Sequence, residues 1–173
     1  DLKSNGGIAS LDKVITLDGL ILEIFEKSNF EYIIDEMLAT SIIYKIIQEH
    51  NIRYFDYLKE DAVGLNTIYH FIIKCNRNSI AFKSLLASPK LDAIEQINEH
   101  YQQYKLTHKL VDIADIEESV FNQWNNSFFA SFTEVFVDNF MIGDIYFIKS
   151  ANQQKIFEKL SSFKPLYVKS TEH

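Results

Sequence analysis

One cysteine, two prolines and five glycines are all that 173 residues hold of those types. The lone Cys75 excludes an internal disulfide and a cysteine-based zinc site, and it permits a reducing cytosol without requiring one. So few glycines and prolines argue against a β-sandwich or barrel, which needs a turn signal about every 8–12 residues. The same scarcity suits helices, whose interiors exclude both residues. No apolar run approaches the length of about 18 residues that a membrane-spanning helix requires. Asp1, Asp12 and Asp18 break up the start of the chain, which lacks a basic-then-apolar signal pattern. The chain begins with Asp rather than Met, so a processed product or a fragment of a longer protein is expected.

Positive charge is also scarce. Lys and Arg number 17 against 24 Asp and Glu, for a net charge of −7. Nucleic acid is therefore not an expected partner, because phosphate binding rests on clustered Lys and Arg. The nearest basic group, Lys105, His108 and Lys109, is offset by Asp112, Asp115, Glu117 and Glu118. Hydrophobic residues make up 47% of the chain and aromatics 14%, enough to drive burial of a core over disorder.

An apolar pattern recurs around four asparagines. Before Asn76 lie Tyr69, Phe71 and Ile72, after it Ile80, and Leu85 and Leu86 close the segment. The same offsets around Asn51 give Tyr44, Ile46, Ile47 and Phe55, closing with Leu58. Around Asn29 they give Leu22, Ile24, Phe25 and Ile33, closing with Met37 and Leu38. Asn152 has Ile145, Phe147, Ile148 and Ile156, closing with Leu160. Each unit reads as a short helix, a corner holding the Asn, and a second short helix. Offsets of three and four place the apolar residues on one helix face. Asn tolerates the left-handed backbone that ends many helices. Helices this short need neighbours to bury their faces, so the units are expected to stack.

Residues 61–86 resemble an ankyrin repeat. Asp61 and Gly64 precede Thr67 and His70 at that family's Thr-Pro-Leu-His separation, and Leu85-Leu86 stands for the closing Leu pair. The segments "SNFEYIIDEML" and "HNIRYFDYL" look like the family's corner and second helix. Ile68 replaces the family's Pro, Asn76 its corner Gly, and bulky Phe71 and Ile72 its small alanines. The resemblance covers about residues 20–90 and 143–163. It implies an array of helical hairpins that recognises another protein through an extended surface, with His70 bracing the backbone.

Between these stretches, "SPKLDAIEQINEHYQQYKL" opens on a Ser-Pro turn and predicts a longer amphipathic helix. "DIEE", Asp115 to Glu118, has the form of a capping box opening the next helix. That helix is expected to run through Phe121, Trp124, Phe128, Phe132, Val135 and Phe140, an apolar stripe too wide for an ordinary surface helix. Such a helix is either buried by neighbours or covered by a partner.

Catalytic patterns are missing. There is no His-Glu-x-x-His, no Gly-rich phosphate loop and no Gly-x-Ser-x-Gly elbow. Cys75 as a nucleophile would need His50, His70, His100 or His108 as its base. His100 and His108 stand eight residues apart, which does not match a one-turn metal pair. No cofactor or metal is implied.

The expected protein is a soluble, all-α single domain over 1–173. Residues 1–19 form an N-terminal segment, 20–87 three hairpin units, 88–142 longer helices, 143–163 a last hairpin and 164–173 a tail. Its expected function is binding a partner protein that carries basic residues, through Glu60, Asp61, Asn66, Asp112, Asp115, Trp124 and Phe128. Two alternatives stand beside it. One is a helical enzyme or effector whose site assembles from distant residues, and the other a regulatory domain packed on further parts of a larger chain.

Overall fold

Oxygen-bearing side chains start the helices by taking backbone N–H groups that the first turn leaves unpaired. Thr16 caps α1 (Leu17–Glu26), Asp35 caps α2 (Glu36–Glu49) and Asp61 caps α3 (Ala62–Arg77). Ser88 accepts from Leu91 N to open α4 (Pro89–His108), with Pro89 in the first turn, where it forfeits no bond. Asp112 opens α5 (Ile113–Asn122), and α6 spans Ala151–Phe163. A computed structural model describes residues 15–27, 31–58, 61–124, 135–137, 150–163 and 166–168. They are mostly helical, in agreement with the all-α expectation at that coarse level.

Two short parallel strand pairs join distant parts of the chain. β1 (Tyr32–Ile33) pairs with β2 (Leu110–Val111), and β3 (Val135–Val137) pairs with β4 (Leu166–Val168). The first pair depends on a reversal at Lys109, whose φ of 54° ends α4 in the left-handed region. Its main-chain bonds continue on both sides, Tyr32 N donating to Lys109 O and Ile34 N to Val111 O.

Among the described residues the buried apolar side chains fall into two clusters. One is built by α2, α3, α4 and the 3-10 turn Arg53–Leu58, with Ile43, Ile72, Ile97 and Tyr101 fully enclosed. The other is built by α1, α5 and α6 around Ile21, Ile116, Val120 and Ile156. Their boundary is polar. Arg77 of α3 donates to both carboxylate oxygens of Glu117 on α5, and Ser150 Oγ donates to Glu117 Oε2 at 2.8 Å. Asn78 Oδ1 accepts from Ala151 N at the start of α6.

Several expected boundaries move. Asn51 does sit at a corner, with φ of 50° between α2 and the 3-10 turn. Asn76 does not, because it lies inside α3. The left-handed residue there is Ser79, whose N–H returns to Asn76 O. Asn152 lies within the first turn of α6, and Asn29 lies outside the described residues. Tyr32 and Ile33, read as part of a helix, form β1, as expected for aromatic and β-branched side chains held just before the Asp35 cap. Met37 opens α2 and is 81% exposed instead of closing a unit. The long aromatic helix is also corrected: α5 ends at Asn122, and Val135–Val137 is strand. Of that stripe, Phe128, Phe132 and Phe140 lie outside the described residues.

The two asparagines predict opposite responses to glycine. Asn51→Gly leaves stability within about 0.5 kcal/mol, because glycine accepts positive φ freely. Asn76→Gly costs about 1 kcal/mol or more, a few tenths from helix propensity and the rest from losing the hydrogen bond to Asn98 Oδ1. Urea unfolding of both variants checks this, and equal losses would contradict the corner assignment.

Candidate functional site

Where α3, α4 and the 3-10 turn meet, the apolar faces do not close. They leave a groove of about 550 Å³ whose walls include Leu58, Ile68, Phe71, Leu85, Leu86 and Leu91. The reason is local. Between α3 and α4 the chain passes through a 3-10 turn, Phe82–Ser84, and then runs extended through Leu85. That path buries Phe82 against Phe71 in an edge-on contact and leaves Leu86 93% exposed at the rim. Tyr57 lies on the opposite flank, 70% exposed. Gly64 makes the wall thin. A Cβ there would stand 2.5 Å from Leu58 Cδ2 and 2.7 Å from Asp61 Oδ2. A side chain at this position would therefore have to displace both neighbours from the groove edge.

The residues proposed from sequence scatter over this geometry. Asp61 lines the groove while its Oδ1 accepts from Gly64 N. Asn66 sits in the same helix, half-buried, and its Oδ1 is enclosed with no hydrogen-bond partner among the described residues. Trp124 lies just past α5 and packs on the second apolar cluster. Glu60 and Phe128 lie outside the described residues. Asp112 is fully buried and is spent on structure: its Oδ1 accepts from Ala114 N and Asp115 N, and its Oδ2 accepts from Lys105 Nζ at 2.6 Å.

Lys105 is itself 3% exposed and donates a second bond to Asp115 Oδ2. Asp115 Oδ2 also accepts from Asp112 N, completing a capping box three residues earlier than the "DIEE" reading placed it. Burial, and next the charge of Asp112, push the Asp115 carboxyl above its ordinary value, against the pull of Lys105. Burial and the Asp112 charge likewise push the Tyr101 phenol well above its usual range. Lys105, Asp112 and Asp115 therefore form a structural knot at the α4–α5 corner. Asp115, 33% exposed, is the member that meets solvent.

Cys75 is buried, burial raises its pKa, and among the described residues no hydrogen bond joins it to a histidine. His70 meets Glu36 at 3.5 Å, not the backbone that the ankyrin resemblance implied. His100 stacks on His50 with ring centroids 3.4 Å apart, and His108 stacks on Tyr104. No three His, Cys, Asp or Glu among the described residues are placed to hold a metal ion. No described helix is long and apolar enough to cross a membrane. The sequence carries no local sign of the groove. Leu85 and Leu86 were visible as a closing pair, but nothing local signals that Leu86 is left uncovered.

No protein-family model matches the chain, and no curated protein sequence matches it.

Asp115 gives the site a pH signature. Its folded pKa is raised, so between the ordinary carboxylate value near about 4 and that higher value the folded state holds more protons than the unfolded state. Stability then falls as pH rises through that window. Asp115→Asn removes this term. Wild type should therefore gain stability relative to Asp115→Asn as pH drops from 7 towards 4, measured by urea unfolding at each pH. A difference that stays constant or reverses with pH would contradict the raised carboxyl.

Proposed function

We propose that this chain is a protein-recognition module that takes an apolar segment of a partner into the groove between α3, α4 and the Arg53–Leu58 turn. The observation that carries the reading is Leu86, almost fully exposed on the rim of an apolar trough. An exposed leucine alone needs no explanation, but one continuous with buried Leu58, Ile68 and Ile94 extends a core surface into solvent. Grooves of this kind take the apolar face of a helix or an extended segment, with a few anchors supplying most of the affinity. Asp61 on the same wall favours a partner with a basic residue beside its anchor, through electrostatic complementarity. The scaffold is read as helical hairpins, a reading supported by α2, the left-handed Asn51 and the 3-10 turn that follows. Asp112 is removed from the recognition surface by its burial.

The test is affinity capture with the 173-residue chain as bait, beside Leu86→Asp and Tyr57→Asp variants whose fold is checked by circular dichroism. Both side chains are exposed, so neither change disturbs the core. A partner held by wild type should bind Leu86→Asp about tenfold more weakly or worse, the usual cost of losing an anchor. Equal capture by all three proteins would overturn the groove as the binding surface.

A further inference from the structure

The apolar groove calls for an occupant with an apolar anchor and a base close to it, and the chain carries that combination on the groove's own rim. Asp61 and Lys90 are the two charged residues of the lining, one acid and one base. Both are exposed, and among the described residues neither enters an ion pair. The lining is therefore charge-balanced on a chain whose net charge is −7. Two copies that approach by acidic surface repel each other, whereas this face adds no net charge to oppose the approach.

Leu86, almost fully exposed, stands four residues before Lys90. The backbone between them is extended at Leu85 and again at Ser88, the cap of α4. An exposed anchor and a base thus sit on the same rim as a trough walled by Leu58, Ile68 and Phe71 with Asp61 at its edge. Knob and hole, and charge and counter-charge, share one surface. A two-fold contact uses such a surface whole, because it sets each patch against its own copy, so that residue i meets j and j meets i. A different protein would have to supply both a knob for the trough and a cover for Leu86. We propose that the occupant of the groove is a second copy of this chain, in a two-fold dimer where each Leu86 seats in the other copy's groove and each Lys90 faces the other copy's Asp61. This inference rests on the groove being a recognition surface, and it names the partner.

Sedimentation equilibrium of the whole chain over a range of concentrations tests this. Wild type should move from 20.2 kDa towards twice that mass as concentration rises. Leu86→Asp should weaken association about tenfold or more, the scale of a lost anchor. Lys90→Glu sets like charges opposite each other across the interface and should also weaken association, more strongly at low salt. Adding Asp61→Asn to Lys90→Glu should recover part of that loss, because Asn keeps the cap of α3 and removes the repulsion. Leu86 and Lys90 are both exposed, so neither change disturbs the core, and circular dichroism checks the fold. A monomer at every concentration overturns the proposal, and so does a dimer indifferent to Leu86→Asp or to Lys90→Glu. A monomeric chain that captures a different protein through Leu86 overturns the second copy alone and leaves the groove reading standing.

Discussion

Three carboxylates near the start of α5, on Asp112, Asp115 and Glu117, face inward, and two of them are fully buried. Everything else in the arrangement has to answer that constraint, because an unpaired carboxylate cannot stay ionised in an apolar interior. Lys105 arrives from α4 and Arg77 from α3, each from a different part of the first apolar cluster. The cations thereby tie α5 to both helices at once. The second cluster, around Ile116 and Val120, lies beside those carboxylates on α5, with Ile116 one turn after Asp112 and Val120 one turn after Glu117. A buried ion pair contributes little net stability compared with good apolar packing, but losing one partner is severe. Its effect here is to fix which helix faces which.

The same knot sets the outer surfaces. The α4–α5 corner can be short because Asp112 serves at once as helix cap and as counter-ion. The left-handed turn at Lys109 then carries β2 to β1, closing the first cluster on one side. On another side the long path from Ser79 to Ser88 leaves Leu86 uncovered and opens the apolar groove. Between the end of α3, α4 and α5 a polar depression remains, lined in part by Asp115. One apolar and one polar recess thus lie along the α3–α4 seam.

How much of this was legible in the sequence depended on whether the signal was local. Ser88-Pro89 marked the start of α4, and the apolar spacing after it marked its extent, because caps and periodicity act within a few residues. Asn51 announced its corner for the same reason. Asn76 misled because Asn is also content inside a helix when its amide has a partner, and that partner, Asn98, is a long-range contact. The capping box was displaced because Asp at the third position serves as well as Glu. The aromatic run after Phe121 resembled a helix face, yet the helix ends at Asn122 and Val135–Val137 is strand, the preference of β-branched residues. The pairing of Lys105 with Asp112 and Asp115 could have been suspected from their proximity, but it was read as surface charge. Arg77 with Glu117 and the exposure of Leu86 are decided by packing, which no local pattern encodes.

Above all, Glu117 and Arg77 couple the two apolar clusters. The direct measurement is equilibrium unfolding of Arg77→Met followed by two probes, Trp124 fluorescence for the second cluster and far-ultraviolet circular dichroism for the whole chain. Leaving Glu117 buried without its cation should cost about 3–5 kcal/mol. The Trp124 transition should then separate from the dichroism transition and move to lower denaturant. If the two transitions stay superimposed at the wild-type midpoint, the clusters are held together by something other than this pair.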